Sequence, residues 1–214
     1  MILNCPLPAA LTAIPQPTCP FRFDQIVRLA FQRRQTAAPF EALADIQTLL
    51  NWTTFKAAID STKIVMSPIF SGLVIPKSEG LTTGGNDNTT FAGIREYNGE
   101  GAVTVTGMLK NLPAATKRAL DLLTQESLAG STGISNLTIY MINRDGYIFC
   151  VNPAPGEVAT TEYWGVPAYN FRVSSVGSEG FNAPNVNDFS FDLQDNWANY
   201  LVSVKPTFDP LTAI

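Results

Sequence analysis

Apolar and polar positions alternate with a period of two along much of this chain. In FRFDQIVRLAFQRRQ, Phe23, Val27, Leu29 and Phe31 fall on nearly alternate positions, with Arg28 and Gln32 opposite. That pattern predicts a strand, although Phe23, Val27 and Ala30 also fit a helical period. KIVMSPIFSGLVIP at 63–76 is rich in β-formers, and Pro68 interrupts it. It predicts two short strands, or one edge strand with a bend. FAGIREYNGEGAVTVTGML at 91–109 reads as strand, NGEG turn, strand, with Val103 and Val105 alternating with Thr104 and Thr106. NLTIYMINRDGYIFCV at 136–151 predicts a hairpin, because Arg144-Asp145-Gly146 carries an Asp-Gly turn between two β-rich runs. A further strand is expected within 166–178, and two more within 186–208 around QDNWAN, where Phe189 and Phe191 alternate with Ser190 and Asp192.

The period changes in NLPAATKRALDLLTQESLAG at 111–130, which predicts a helix. Asn111 is placed to cap it, Pro113 sits in the first turn where a missing N–H costs nothing, and Gly130 ends it. Leu112, Ala115, Ala119, Leu122 and Leu123 form the expected apolar stripe, with Lys117, Arg118, Asp121 and Gln125 facing out. A second, short helix is expected where Asn51 caps a segment through Trp52, Phe55 and Ile59, followed by a turn at 60–63. The result is about eight strands with no βαβ alternation, so a parallel sheet is not expected. The fold class is mainly β (α+β): an antiparallel β-sandwich or open barrel with one flanking amphipathic helix. An extended, proline-punctuated arm over 1–20 precedes a single β-rich domain over 21–214.

Composition narrows the function. With 45% hydrophobic and 15% charged residues over 214 positions, the chain is globular and its surface is rich in Thr, Asn, Ser and Ala. Such a surface suits a protein whose faces are covered by partners. Net charge is −4, and Arg33-Arg34 and Lys117-Arg118 are the only compact basic pieces. Gripping nucleic acid without regard to sequence needs basic stripes, so that function is not expected. No apolar run approaches the ~20 residues of a membrane span. The first residues lack a basic n-region, and Pro6, Pro8, Pro15 and Pro17 break any apolar core, so a cytoplasmically made protein is expected. Cys5, Cys19 and Cys150 are too widely spaced for a metal motif. A Cys5–Cys19 bridge is open to the arm in an oxidising setting, with free thiols as the other state. There is no histidine, which removes Ser-His-Asp and Cys-His catalysis and His-ligated zinc.

The stretch GLTTGGNDNTTFAGI at 80–94 has the composition of a binding loop. It lacks the lysine and following helix of a phosphate loop, and Asp87 is its single acid, short of a calcium loop. Asn86, Asp87 and Asn88 with carbonyls remain a conceivable cation site. The alternative is structural: glycines for positive φ, Asn and Asp for turn hydrogen bonds. A long polar loop between strands also suits contact with a neighbouring subunit, and Gly84, Gly85, Asn86, Asp87, Asn88, Thr89 and Thr90 are the candidate contact residues. Sequons at Asn51, Asn88 and Asn136 are expected by chance in an Asn/Thr-rich chain. Asp188, Asp192, Asp195, Glu157, Glu162 and Glu179 form a carboxylate pool for histidine-free glycoside hydrolysis, but spacing selects no pair. Trp52, Trp164 and Trp197, with Tyr163 and Tyr169, read as core or interface residues, with a sugar-stacking surface as the alternative. No cofactor or enzymatic activity is expected.

The order of parts carries a resemblance. An extended arm, a long polar loop between β-segments, the helix PAATKRALDLLTQESLA and a closing aromatic β-pair NDFSFDLQDNWANYLVSVKP resemble the tail tube (major tail) proteins of long-tailed bacteriophages and related contractile injection systems. VSSVGSEGFNAPNVNDFSFDLQ is similar in character to late strands of that family. The resemblance covers roughly residues 60–208 and leaves 21–59 unmatched. It implies a β-sandwich with a flanking helix, six-membered rings whose strands join around a lumen, and ring stacking through the long loop and arms. The implied partners are copies of itself, other virion proteins, and DNA passing through the lumen. The implied location is the virion, assembled in the bacterial host cytoplasm. Gly80–Phe91 would be a ring-contact or stacking loop, and residues 1–20 an arm laid on a neighbour. The β-rich composition equally permits a capsid, decoration or head–tail connector protein, and a secreted carbohydrate-binding sandwich is a reading of another class.

Overall fold

A computed structural model describes residues 23–35, 37–85, 93–128, 135–152, 162–177 and 184–214. The arm over 1–20, the helix stop at Gly130 and loop residues 86–90 lie outside these. The described elements are β1 (Ile26–Arg33), α1 (Leu43–Gln47), α2 (Leu49–Ala57), β2 (Ile64–Met66), β3 (Ser71–Val74), β4 (Gly80–Thr83), β5 (Glu96–Glu100), β6 (Val103–Lys110), α3 (Ala114–Glu126), β7 (Leu137–Asn143), β8 (Ile148–Val151), β9 (Val166–Pro167), β10 (Tyr169–Val173), β11 (Val186–Leu193) and β12 (Leu201–Val204). The strands are more numerous than the expected eight because several predicted strands divide between sheets.

One sheet runs β12-β8-β7-β1-β2, with β9 also on β7; a second runs β10-β11-β6-β3; β4 and β5 form a separate ribbon. All described pairings are antiparallel, as the absence of βαβ alternation predicts. The two larger sheets pack face to face around Leu29, Phe31, Val105, Leu109, Ile139, Met141, Phe171, Phe189 and Phe191. The other face of the first sheet packs Ala30, Tyr140, Ile142, Ile148 and Cys150 against Phe40, Ile46 and Trp52 of the α1–α2 layer and against the C-terminal Phe208, Leu211 and Ile214. The fold is therefore a β-sandwich with α1 and α2 on the outer face of the first sheet and α3 against the inter-sheet core, mainly β as the sequence predicts. Among the described residues no helix is long and apolar enough to cross a membrane.

The first-sheet strands depart from simple alternation because both of their faces are covered. The strand reading of 23–33 holds over Ile26–Arg33, and the helical alternative falls. Gln32, expected to face out, is 1% exposed. Burying its amide requires partners. Its amide Nε2 donates to the Thr62 carbonyl at 2.7 Å, and its Oε1 accepts from the Tyr140 hydroxyl at 3.2 Å. Pro68 divides 63–76 between sheets, with β2 beside β1 and β3 beside β6. Ser67 fills the gap this leaves: its hydroxyl accepts from the Leu29 N–H at 2.9 Å and donates to the Pro68 carbonyl at 2.8 Å.

Several local expectations change. Asn98, Gly99 and Glu100 of NGEG lie within β5, which pairs with β4 and not with β6. Pro113, extended at φ −62° and ψ 143°, holds the N-cap position of α3, and Asn111 does not cap it. α3 presses Leu120, half-buried Leu112 and half-buried Leu123 onto the core, while Ala115, Ala119 and Leu122 are exposed. The helix is rotated because its last turn is tied to β10: the Ser127 hydroxyl accepts from the Phe171 N–H at 2.8 Å, and the Ser127 carbonyl from the Asn170 N–H at 3.1 Å. α2 starts at Leu49 with Thr48 at its cap, so Asn51 lies inside the helix and donates to the Asp45 carbonyl at 3.0 Å. The 136–151 hairpin forms as predicted, with Gly146 at φ 75° in its turn.

The covered second face makes neighbouring positions on α2 unequal. Trp52 packs against Phe40 (4.9 Å between ring centroids, tilted) and edge-to-face against Tyr140 (5.3 Å), and its indole N–H donates to the Ile46 carbonyl at 2.8 Å. Trp52→Ala is expected to cost about 3–5 kcal/mol in urea denaturation. Leu50→Ala, two positions away and 70% exposed, is expected to stay within about 0.5 kcal/mol. Cys150 is fully buried, and burial pushes its thiol pKa upward, away from the reactive thiolate. A thiol reagent at neutral pH is therefore expected to label Cys150 only after unfolding, as read by peptide mass.

Candidate functional site

Among the described residues, the β4–β5 ribbon pairs with no other strand. Its register is Gly80↔Glu100, Thr82↔Tyr97 and Thr83↔Glu96, with a shift between Gly80 and Thr82. Two links close its base: the Gly101 N–H donates to the Glu79 carbonyl at 2.9 Å, and the Ser78 hydroxyl donates to the Glu100 carboxylate. Every residue of β4 is exposed, and so are Ile94 and Tyr97. Gly84 (φ 72°) and Gly85 (φ 117°) turn the chain away at the far end of β4. A Cβ on Gly85 would lie 2.6 Å from Cγ of Arg95, so that exposed side chain would have to swing aside, and a φ of 117° is one that residues with a Cβ rarely adopt. Backbone freedom at these glycines is thus a structural requirement. The remaining candidate contact residues, Asn86, Asp87, Asn88, Thr89 and Thr90, lie outside the described residues, so the loop is brought together here only at Gly84 and Gly85.

The other sequence candidates take structural places. Trp52 and Trp164 are buried, and Trp197 packs half-buried against Phe23 at 5.7 Å, so these three form no exposed stacking platform. Asp188 and Asp192 share the outer face of β11, four residues or about 13 Å apart along the strand. That exceeds the roughly 5–9.5 Å that paired-carboxylate hydrolysis uses. Asp192 is also committed to accepting from the Thr104 hydroxyl at 2.7 Å and the Asn170 amide at 2.7 Å. Glu162 accepts from the Trp164 indole at 3.3 Å, and Glu157 and Glu179 lie outside the described residues. Among the described residues no three His, Cys, Asp or Glu side chains come together as metal ligands.

The pairing Asp192–Thr104–Asn170 belongs to a wider polar surface. Thr104, Thr106 and Lys110 of β6 stand outward beside Asp188, Ser190 and Asp192 of β11 and Arg172 of β10. Arg172 donates to the Ser190 hydroxyl at 2.8 Å. Alternation in VTVT and DFSFD predicts this side directly.

Sequence reasoning did not single out a groove of about 450 Å³ between α3 and the β1–β2 edge. Phe31, Leu123 and Leu137 lie at its floor, and Leu122 and Val65 at its lips. Leu122 is 69% exposed and Val65 42%. Arg33 and Glu126 form an ion pair across one end. Leu122 belonged to the expected apolar stripe of α3, and the rotation of the helix leaves it exposed at the groove.

The sequence matches no protein-family model and no curated protein. Among solved structures it is similar to a chain of the anti-feeding prophage baseplate, determined by cryo-EM with 6-fold symmetry applied. The two are 13% identical, the match covers 91% of this chain and 100% of the other, and the TM-score is 0.33. A superposition that loose defines no shared fold.

The ribbon geometry makes Gly85 separable from the core. Gly85→Ala is expected to speed amide exchange at Thr83 and Glu96 at least tenfold while leaving exchange in β7 unchanged. Equal protection at Thr83 and Glu96 in the two proteins would show that the glycine is not what closes the ribbon.

Proposed function

We propose that this chain is a self-assembling structural protein of a virion or injection-system particle, with the tail tube subunit as its specific form. In that role copies form rings, rings stack, and DNA passes through the lumen without being gripped. The particle is assembled in the bacterial host cytoplasm with other virion proteins.

The observation that carries this reading is the β4–β5 ribbon, which stands apart from both larger sheets among the described residues. An isolated two-stranded ribbon is marginal in water, because it has no third strand and no packed face. This one also holds Leu81, Ile94 and Tyr97 more than half exposed. Burying an aliphatic side chain of this size is worth about 1.5–3 kcal/mol. A surface of another copy supplies the missing face, and it does so through a segment rich in Gly, Asn, Asp and Thr that adapts its hydrogen bonds to a neighbour. The low charge of 15% fits a molecule whose faces are largely covered. The outer face of β6, β10 and β11 balances Asp188 and Asp192 against Lys110 and Arg172. Such a wall presents no basic stripe to hold DNA.

Negative-stain microscopy of the purified protein tests the reading. Rings or tubes are expected, and the double variant Leu81→Asp with Tyr97→Asp is expected to abolish them while keeping the wild-type thermal midpoint. Closed shells would redirect the assignment to a capsid or decoration protein. Monodisperse monomer at high concentration would sink self-assembly altogether.

A further inference from the structure

We propose that the groove between α3 and the β1–β2 edge is the seat of Leu11 and Ile14 of the same chain, with residues 15–22 as the spacer that carries them there. The contact belongs to the single subunit and does not rest on the assembly reading.

The groove selects its occupant by chemistry. It is apolar, with Leu122 and Val65 exposed at its lips over Phe31, Leu123 and Leu137. Its charged rim sums to zero, since Arg33 and Lys63 offset Asp60 and Glu126. At about 450 Å³ it has room for a few residues and not for a long segment. An occupant should therefore be short, apolar and uncharged. Residues 1–14 carry no charged side chain, and they end in ALTAI at 10–14, with Leu11 and Ile14 three positions apart. Three apart is one turn of a polyproline-type helix, which puts both side chains on one face about 9 Å from each other. In a strand the same two positions would point to opposite faces.

The spacer selects the same molecule. Phe23 enters the fold beside Phe149 and Trp197, and Ile26 pairs with Asn143 next to the β7–β8 turn. The groove lies at the other end of β1, where Arg33 pairs with Leu137. The eight residues of β1 separate the two ends by about 25 Å. Residues 15–22 include Pro15, Pro17 and Pro20, a composition that favours a semi-rigid extended spacer. At ~3.1 Å per residue, such a spacer also spans about 25 Å. A tether matched to its span holds the attached group at its greatest effective concentration, on the order of millimolar. A segment of another copy competes only at the bulk protein concentration, which is far lower in dilute solution. The chain thus supplies the cover for its own Leu122 and Val65.

Disulfide trapping in the full chain provides the test. In a Cys5→Ser, Cys19→Ser background, Ala13→Cys puts a thiol between Leu11 and Ile14, and Leu122→Cys puts one at the groove lip. Cys150 is buried and cannot compete. Mild oxidation is expected to join positions 13 and 122 within one chain, seen as monomer on non-reducing gels and located by peptide mapping. The yield should not change on tenfold dilution. It should exceed by at least fivefold that of Ala13→Cys paired with Leu50→Cys, since Leu50 is exposed on α2, beyond the first sheet. It should exceed by the same factor that of Leu122→Cys paired with native Cys19, which the spacer holds short of the groove. Adding Leu11→Asp and Ile14→Asp should cut it at least fivefold. Bridges between chains, or a yield that falls with dilution, would put the segment on another copy and overturn the proposal. Equal yields from positions 122 and 50, or no loss with Leu11→Asp and Ile14→Asp, would overturn it as well. The expected bridge in protein that forms no rings or tubes would uphold the groove while the assembly reading falls.

Discussion

The fold depends on the burial of β7. All seven residues of Leu137–Asn143 are buried, and β7 pairs with β1 on one side and with β8 and β9 on the other. A strand in that position has its backbone groups satisfied by the ladder, but it also presents side chains to two dry faces at once. LTIYMIN meets the demand with a nearly continuous apolar run. Ile139 and Met141 enter the core between the sheets, and Tyr140 and Ile142 enter the core under the helices. Each face then requires its own cover. The second sheet covers one, and α1, α2 and the C-terminal residues cover the other.

The chain meets both demands by switching sheets. β2 and β3 are separated by Pro68 and join different sheets; β9 and β10 do so across Ala168, and β11 and β12 across the 194–200 connection. Each switch exposes backbone groups that would be orphaned, and side chains take their place. Ser67 completes β1 beyond the end of β2, and buried Ser135 accepts from the Leu137 N–H at 3.0 Å while donating to the Ala168 carbonyl. An unpaired group at such a position costs about 1–3 kcal/mol, so these small hydroxyls matter more than their size suggests.

Much of this is legible in the residues. VTVTGMLK and VNDFSFDL alternate as half-covered strands do, and they pair in full register. Asp145-Gly146 marks its turn. Pro68 announces a break, although the sequence does not say that the break leads to another sheet. The misreadings share a cause. Gln32 looks like an outward residue because alternation assumes one wet face, and β1 has none. The α3 stripe is misplaced because helical period alone does not fix rotation; Ser127, a polar residue past the apolar run, does. NGEG reads as a turn because Gly and Asn are turn residues, yet in β5 Gly99 supplies a positive φ of 109° within a strand. The candidate contact segment was legible by composition, and the groove was not, because its walls come from segments about sixty to ninety residues apart that meet only in the folded chain.

The C-terminal residues have a consequence for how the molecule is made. Arg28 of β1 donates to the Leu211 carbonyl at 2.8 Å, β12 extends the first sheet, and Ile214 is buried in the second core. The helical face of that sheet is therefore sealed by residues 201–214, which are made long after β1. Contacts of such long sequence separation form late and slowly. Until translation has passed Ile214, the nascent chain has an unfinished sheet and an open apolar side. Synthesis of residues 201–214 then acts as a timing step, holding back the fully packed first sheet until that stretch is available to fold.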